Sequence, residues 1–491
     1  MEEEVTRLRE ELAREKAARE ALEEECDELA MANVQLEREL LALKTAAATA
    51  SASSSSLPPA PVRPSPWVAV DGDGRFANKA LLRIENACGG MNVLCVSFCW
   101  SGGARGELLA CGGTDNSVSI YDPKDGALVS RFALSAPVLC LDSHASLLAA
   151  SLMDGSAVVI DLSASATTAA APAPAAAAAG AVVATLRQHG KYVVAVRWSP
   201  DGRFLATASY DKSVLLYRCR CRRAVAAAPD SASESGTVSG SGSGSSGGLV
   251  LHRVSAIRLA SSPEAIAFVP AAGADAEGCA WDLVIAARET SSLVYIRCPE
   301  AGPDAEAEAE AEAASEADTS KVTGADTEPA ELSSSSSSAL SSALLVPLNE
   351  QAWDTHVSFA PLALARSPDG QSLLVATDKH FHYLSRLRQS QRERVYAGHA
   401  CGEYGKPRVA FDAKGQYLYC TSEGEGALLV YDVASAAVVG RLAGHGNVAK
   451  DVCCSSAGSG GGGKAGAGLV ASGGFDRAVI VWGYQPEEQE R

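Results

Sequence analysis

The feature that most constrains the fold is a repeated pair of short apolar segments. Within each pair, a tight turn containing Asp or Glu joins the two segments, and the second segment ends close to an aromatic residue. The clearest copies are LLACGGTDNSVSIYD from Leu108, FLATASYDKSVLLYR from Phe204, YLYCTSEGEGALLVYD from Tyr417 and LVASGGFDRAVIVWG from Leu469. Apolar segments of this length between turn residues predict β-strands. Their recurrence predicts a repeat architecture in which each copy covers its neighbour.

The residues before three of these copies extend the pattern. A His with an adjacent Gly, then a further apolar segment, then a turn such as Ser-Pro-Asp-Gly precedes the strand pair. This arrangement resembles the WD40 (Trp-Asp) repeat, and the resemblance extends from about Ala80 to Tyr484. It implies an all-β propeller of seven four-stranded blades, for which we assign residues 78–485. Third strands are expected to end near Tyr121, Ile160, Tyr217, Tyr295, Tyr383, Tyr431 and Trp482. In this family the front of the domain supplies the last strand, here Ala80 to Ile84.

The resemblance also implies a structural hydrogen-bond relay from the turn acid to His, then to Ser or Thr, then to the third-strand aromatic. The third unit supplies Asp211, His189, Thr207 and Tyr217, the sixth Glu425, His399, Thr421 and Tyr431, and the seventh Asp476, His445, Ser472 and Trp482. The first two units keep only their acids, Asp115 and Asp154. An Asp-His-Ser set suggests a hydrolase, but a catalytic triad needs one exposed nucleophile beside an oxyanion hole, whereas this set recurs. We therefore expect no enzyme activity.

Residues 1–44 carry a heptad pattern without Pro or Gly. The expected interface residues are Leu8, Leu22, Leu29, Leu36 and Leu43 at d positions, with Asn33 at an a position. Leu at d with a mixed a layer favours a parallel two-stranded coiled coil, and a buried Asn at a fixes its register. The alternative is a single charged helix, either solvated or docked on another protein. We expect a parallel homodimer, because an isolated helix of this kind is only marginally stable in water.

Composition changes abruptly outside these two regions. Residues 45–77 are rich in Ala, Ser and Pro and predict a disordered linker. Low-complexity inserts are expected within the propeller at 163–180, 224–248, 300–342 and 456–467, and residues 486–491 form a tail. Such polar segments cannot bury enough apolar surface to order themselves.

Three short motifs suggest ligands, and we assign none of them a site. GSGGGGKAG, from Gly458, has the spacing of a phosphate-binding loop, but Ala465 replaces the hydroxyl residue and an apolar segment follows where a helix is required. The chain has 14 Cys but no C-x-x-C pair, so zinc ligand spacing is absent. His380 and His382 would share a strand face without a third ligand. We therefore expect no metal and no cofactor.

The net charge, the distribution of apolar residues and the amino terminus indicate which partners and which cellular location to expect. A net charge of −17 argues against direct nucleic-acid binding. No stretch is apolar and long enough for a membrane span, and charges begin at Glu2. We expect an intracellular protein, located in the cytoplasm with the nucleus as the alternative.

The function that fits best is a non-catalytic scaffold that binds other proteins or peptides. We expect partners at the face built from the Gly-His loops and acid turns, on Lys191, Tyr192, Tyr210, Asn447, Phe475 and Arg477. Aromatic and Arg side chains at an exposed rim fit interface hot spots. Dimerisation would raise avidity for a repeated partner. The alternative is a substrate receptor of a cullin-type ubiquitin ligase, because Tyr121-Asp122-Pro123-Lys124 resembles the aromatic-acid-x-basic motif of such receptors.

Overall fold

A computed structural model describes residues 76–101, 106–163, 181–221, 249–272, 280–299, 343–351, 356–402, 405–423, 426–455 and 468–485. All regular elements in these ranges are β-strands. No helix in the described residues could cross a membrane. The predicted coiled coil, residues 45–75 of the predicted linker, the inserts apart from Ser163, and the tail lie outside these residues, and those assignments stay predictions. Phe76 and Ala77, which the prediction placed in the linker, are described, and Ala77 is fully buried.

The strands form seven antiparallel four-stranded sheets. Sheet 1 contains β2 (Val93–Trp100), β3 (Glu107–Gly113), β4 (Ser117–Tyr121) and β5 (Leu128–Ala133). Sheet 2 contains β6 (Val138–His144), β7 (Leu147–Leu152), β8 (Ala157–Asp161) and β9 (Ala181–Leu186). Sheet 3 contains β10 (Val193–Trp198), β11 (Phe204–Ser209), β12 (Ser213–Cys221) and β13 (Leu249–Arg258). Sheet 4 contains β14 (Pro263–Pro270), β15 (Trp281–Ala287), β16 (Ser292–Arg297) and β17 (Leu344–Pro347).

Three sheets complete the set. Sheet 5 contains β18 (Pro361–Arg366), β19 (Ser372–Thr377), β20 (Phe381–Arg386) and β21 (Arg392–Ala397). Sheet 6 contains β22 (Val409–Phe411), β23 (Tyr417–Ser422), β24 (Ala427–Asp432) and β25 (Val438–Ala443). Sheet 7 contains β26 (Ala449–Cys454), β27 (Val470–Gly474) and β28 (Val479–Gly483), with β1 (Lys79–Ile84) as its fourth strand. Each of the seven predicted third-strand residues lies in the third strand of a different sheet. The all-β fold with seven blades is therefore confirmed.

The burial of each strand follows from its position in the sheet. Second strands such as β11, β19 and β23 are buried at every residue, because both of their faces are covered. In outer fourth strands such as β5 and β25, residues that are buried or half-buried alternate with exposed residues. This is the period-2 pattern of a strand with one buried face.

The chain divides into two compact units. In the unit that contains sheets 1 to 4, adjacent sheets share apolar cores: one cluster joins sheets 1 and 2, a second joins sheets 2 and 3, and a third joins sheets 3 and 4. In the unit that contains sheets 5 and 6 and most of sheet 7, one cluster joins sheets 5 and 6 and another joins sheets 6 and 7. Within each unit, adjacent sheets are thus buried against one another, as a repeat architecture requires.

The closing strand β1 hydrogen-bonds to β28, the last strand of the chain. Next to it, the Asn78 backbone N–H donates to the Gly483 carbonyl at 3.1 Å. The Ala77 N–H donates to the Tyr419 hydroxyl at 2.9 Å. Residues separated by about 400 positions are therefore held together where the sequence predicted closure by Ala80 to Ile84.

Each sheet has two ends that differ in what they carry. Antiparallel pairing places the connections between first and second strands, and between third and fourth strands, at one end, which we call the insert end. The turns between second and third strands, and the entry from the preceding sheet, lie at the other end, which we call the relay end. The long segments outside the described residues, 164–180, 222–248, 300–342 and 456–467, all connect strands at insert ends. Partner residues predicted from the sequence all lie at relay ends.

Candidate functional site

The relay is complete in sheet 7. Asp476 Oδ1 lies 2.9 Å from His445 Nδ1, and His445 Nε2 lies 2.8 Å from Ser472 Oγ. The indole N–H of Trp482 donates to the same Ser472 oxygen at 2.8 Å. Ser472 is fully buried on β27, so its hydroxyl is not accessible to a substrate. The arrangement ties the turn to the inside of the sheet.

Sheet 3 repeats the first part of this relay. Asp211 Oδ2 lies 3.0 Å from His189 Nδ1, and His189 Nε2 lies 2.8 Å from Thr207 Oγ1. Burial lowers the pKa of His189, against an opposing effect of Asp211. The predicted fourth member, Tyr217, is in hydrogen-bond contact with Thr207, and its hydroxyl also donates to Gln188 Oε1 at 3.2 Å.

Sheet 6 does not assemble the predicted relay. Glu425 lies outside the described residues, and Thr421 Oγ1 accepts the backbone N–H of Arg408 at 2.9 Å. The ring of His399 stacks on His382 instead, with 3.8 Å between ring centroids. The ring of Tyr431 packs edge-on against Tyr396 at 5.6 Å. The expected contact between His399 and Thr421 is therefore corrected, because both side chains have other neighbours.

The acids of the first two units hold their own turns. Asp115 accepts from the Ser117 hydroxyl and pairs with Arg131. Asp154 accepts the Ser156 backbone N–H at 2.9 Å and the Ser156 hydroxyl at 2.6 Å. The acid position is thus used for turn formation even where no His accompanies it.

A concave site lies at the relay end between sheets 3 and 4. Its volume is about 400 Å³, and it is lined by Lys191, Tyr192, Tyr210, Ser262, Glu264 and Arg288. The first three residues were predicted from the sequence. The other three were missed because they belong to sheet 4, where the repeat signal lacks the Gly-His pair. We call these six residues the rim site.

Two tyrosines form the apolar wall of the rim site. The rings of Tyr192 and Tyr210 meet edge to face, with 4.7 Å between centroids, a geometry that contributes about 0.5–1.5 kcal/mol beyond burial. Tyr192 remains 37% exposed. A register shift between Val193 and Ala195 interrupts the pairing of β10 directly after it. Bulges of this kind redirect neighbouring side chains, and here the neighbour is the exposed ring.

The polar floor of the rim site is built around one buried carboxylate. Glu264 is 3% exposed, and its Oε1 accepts from the Tyr210 hydroxyl and from Arg288 Nε, each at 2.9 Å. The Arg288 side chain is 47% exposed, and Lys191 is also exposed. The buried acid orients Tyr210 and Arg288, while cationic groups face solvent.

The remaining partner candidates lie at the relay end of sheet 7. Asn447 is exposed, and its Oδ1 accepts the Val448 N–H at 2.7 Å. Phe475 is half-buried, with the Lys450 ammonium 5.5 Å from its ring centroid. Arg477 is exposed and has a φ of 67°. This left-handed conformation costs about 1–2 kcal/mol for a residue with a Cβ.

Two other sequence motifs, the ligase-receptor motif and the glycine-rich loop, belong to the local structure of the sheets. The ligase-receptor motif begins at Tyr121, which is buried and donates to the Ala87 carbonyl at 2.7 Å. Asp122 accepts the Lys124 N–H at 2.9 Å. The glycine-rich loop lies outside the described residues, but it connects β26 and β27, which pair as antiparallel neighbours. A strand therefore follows it where a phosphate-binding loop requires a helix.

Comparison of the chain with protein-family models gives a match at the third unit. Residues 180–218 match the family model described as WD domain, G-beta repeat. This range covers β9 of sheet 2, the entry to sheet 3, the strands β10 and β11 and most of β12, including the relay from His189 to Thr207. No curated protein gives a match to the chain. The matched repeat and the seven four-stranded sheets together support a WD40 propeller.

Proposed function

We propose that this protein is a non-catalytic scaffold that binds partner proteins or peptides at the relay end, with the rim site as the main contact. A WD40 propeller is generally a protein-interaction scaffold. The observation that carries the proposal is the exposed Tyr192 ring beside Tyr210, Lys191 and Arg288 in one cavity. Aromatic and Arg side chains in a partly enclosed pocket are the residues that dominate binding at protein interfaces.

The chemistry of the rim site favours a partner segment with both an apolar and an acidic side chain. The tyrosine pair offers an apolar wall, and Lys191 and Arg288 offer positive charge next to it. Glu264 is held by Tyr210 and Arg288 in the floor. A basic partner would therefore meet cations at the surface.

Substitution of rim residues tests this proposal. Tyr192→Ala and Lys191→Glu are each expected to weaken partner capture by about tenfold or more, as loss of a hot-spot residue does. The melting temperature should change little, because both side chains are exposed. Affinity capture of intact and variant protein, quantified by mass spectrometry, measures the effect. Leu128→Ala on β5 is the matched control, since Leu128 is 53% exposed and lies outside the rim site. Capture of every partner by both rim variants would contradict the proposal.

Assembly is the second part of the proposal. The heptad pattern of residues 1–44 supports a parallel homodimer that presents two propellers to a repeated partner. We expect the full chain to sediment as a dimer and the chain without residues 1–44 as a monomer. Asn33→Leu should strengthen association but broaden its stoichiometry, because the buried Asn specifies two strands. Equal masses for the full and shortened chains would contradict this assignment.

The ligase-receptor alternative is not favoured by the geometry. Tyr121 and Asp122 of the motif are occupied by the Ala87 carbonyl and the local turn. We also propose that the scaffold acts in the cytoplasm, with the nucleus as the alternative.

A further inference from the structure

Three metal-ligating side chains meet between sheets 5 and 6, away from the rim site. His382 lies on β20, His399 follows β21, and Cys420 lies on β23. Their donor atoms all lie within 4.8 Å of one another. His382 Nε2 is 3.0 Å from Cys420 Sγ, and the two imidazole rings stack. Neither the relay nor the rim site uses this cluster.

All three side chains are withdrawn from solvent. His382 and Cys420 are 0% exposed and His399 is 2% exposed. Within the described part of the chain, neither ring nitrogen of His399 has a hydrogen-bond partner at normal geometry, and the Lys379 backbone is placed to interact only with the protonated ring. A buried polar group without a partner costs about 1–3 kcal/mol. A ligand that engages His399 would remove this penalty.

The backbone directs His399 into the cluster. Gly398 stands directly after β21 with a φ of 106°, a conformation that residues with a Cβ rarely adopt. The chain turns there, and His399 comes to lie over the ring of His382. Cys420 is fixed by strand pairing with Val409 and Leu429 on either side. Two rigid sheets thus supply the donors.

We propose that His382, His399 and Cys420 bind one Cu(I) ion in a closed, three-coordinate site. Thiolate and imidazole are donors that soft and borderline ions prefer. One thiolate and two neutral imidazoles leave a Cu(I) site without net charge, which suits an interior without solvent. Zn²⁺ would leave one positive charge and prefers a fourth ligand, and no further His, Cys, Asp or Glu donor of the described residues joins the cluster.

The binding step balances without a change of oxidation state. The S–H bond of Cys420 breaks, a Cu–S bond forms, and the proton passes to solvent. In the metal-free form the Thr377 N–H donates to His382 Nδ1 at 3.2 Å, which leaves the ring proton on Nε2, facing Cys420. Metal binding moves that proton to Nδ1, so the hydrogen bond from the Thr377 N–H to this nitrogen is lost. Ligating His side chains usually donate the other ring N–H to a carbonyl or carboxylate, and the backbone of Phe381 is placed to interact with the protonated ring.

The donors require a modest adjustment. Metal–ligand bonds of about 2.0–2.3 Å place three trigonal donors about 3.5–3.8 Å apart. The widest separation must therefore close by up to about 1 Å, and the stacked rings must tilt apart. The 3.0 Å separation of His382 Nε2 and Cys420 Sγ must in turn open to this range.

Competition for Cu(I) tests the site on the full-length protein. Under anaerobic, reducing conditions, Cu(I) is titrated into protein and the chromogenic chelator bicinchoninate, and the transferred copper is measured by absorbance. We expect one tightly held Cu(I) per chain at this site. Cys420→Ser and His399→Gln should weaken it at least about 100-fold, because even substitutions beside metal ligands cost about 10- to 100-fold. A parallel titration with Zn²⁺ should show weaker binding.

Two matched variants separate the site from other thiols and imidazoles. Cys111→Ser removes one member of the close thiol pair with Cys88, whose Sγ atoms are 3.7 Å apart. His380→Gln removes the neighbouring imidazole, whose Nδ1 lies 3.3 Å from the His399 carbonyl oxygen. Both should retain the site. If Cys420→Ser or His399→Gln fails to fold, X-ray absorption spectroscopy of the copper-loaded wild-type protein identifies the ligands instead. We expect one sulfur and two imidazole ligands. Sulfur-only ligation, preferred Zn²⁺ binding or unchanged affinity in folded variants would overturn the proposal.

Discussion

Removal of residues 1–84 is expected to leave a chain that does not fold stably, whereas removal of residues 1–75 should leave the melting temperature unchanged. The longer truncation deletes β1 and exposes the edge of β28, whose residues are all buried in the intact protein. It also removes the Ala77 N–H that donates to Tyr419 and the Phe76 ring that packs 5.4 Å from Tyr417. An unpaired apolar edge strand is a template for aggregation. Since domain stability is about 5–15 kcal/mol, loss of a whole strand is enough to unfold the chain.

The comparison of the two truncations isolates the closing strand. Both proteins lack the predicted coiled coil and residues 45–75 of the predicted linker, so only residues 76–84 differ between them. Circular dichroism and light scattering during heating measure folding and aggregation. A cooperative transition at the same temperature in both truncations would show that β1 is dispensable, contrary to its pairing with β28.

Breaking the relay in sheet 7 is expected to destabilise the protein more than substitution of the exposed rim residues Lys191 or Tyr192. Asp476→Ala should lower the free energy of unfolding by about 1–3 kcal/mol, because His445 is buried and loses its acceptor. Denaturant unfolding with an unchanged slope measures this loss. Asp211→Ala should have a similar effect in sheet 3, where His189 Nδ1 also contacts Ser213 Oγ at 3.0 Å.

Coupling between relay members distinguishes the network from a local turn effect. Asp476→Ala should cost less in a His445→Gln background, giving an interaction energy of about 0.5–3 kcal/mol. Asp154→Ala in the same His445→Gln background is the matched control for a turn effect. Asp154 holds the equivalent turn of sheet 2 through Ser135 and Ser156 and does not belong to the relay of sheet 7. Additive effects of Asp476→Ala and His445→Gln would contradict a connected relay.

The sequence identified the blades because the third strands of units 3, 6 and 7 carry strong local signals, and the position of the remaining units follows partly from their spacing. An acid in the turn and a buried residue such as Tyr121 or Trp482 at the strand end are short-range features, which a pattern search can find. The relay members of sheet 7 were also identified, since the Gly-His pair and the turn acid flank that sheet. In sheet 6 the same pattern misled, because His399 packs on His382 from sheet 5.

The features that escaped prediction arise from contacts between sheets. Glu264 and Arg288 complete the rim site from sheet 4, where no Gly-His pair marks the entry. His382 and Cys420 come together from two sheets, and their approach depends on packing that no local spacing encodes. Sequence periodicity thus predicted the strands. The residue clusters that form where two sheets meet could be identified only from the three-dimensional arrangement.

Site-specific cross-linking is the most direct test of the central claim that partners bind at the relay end through the rim site. A photoreactive amino acid placed at Tyr192 in the full-length protein is expected to capture partner protein on irradiation. The same group placed at Leu128 on β5 should capture little. Equal or greater capture from Leu128, with none from Tyr192, would contradict the rim site as the binding surface.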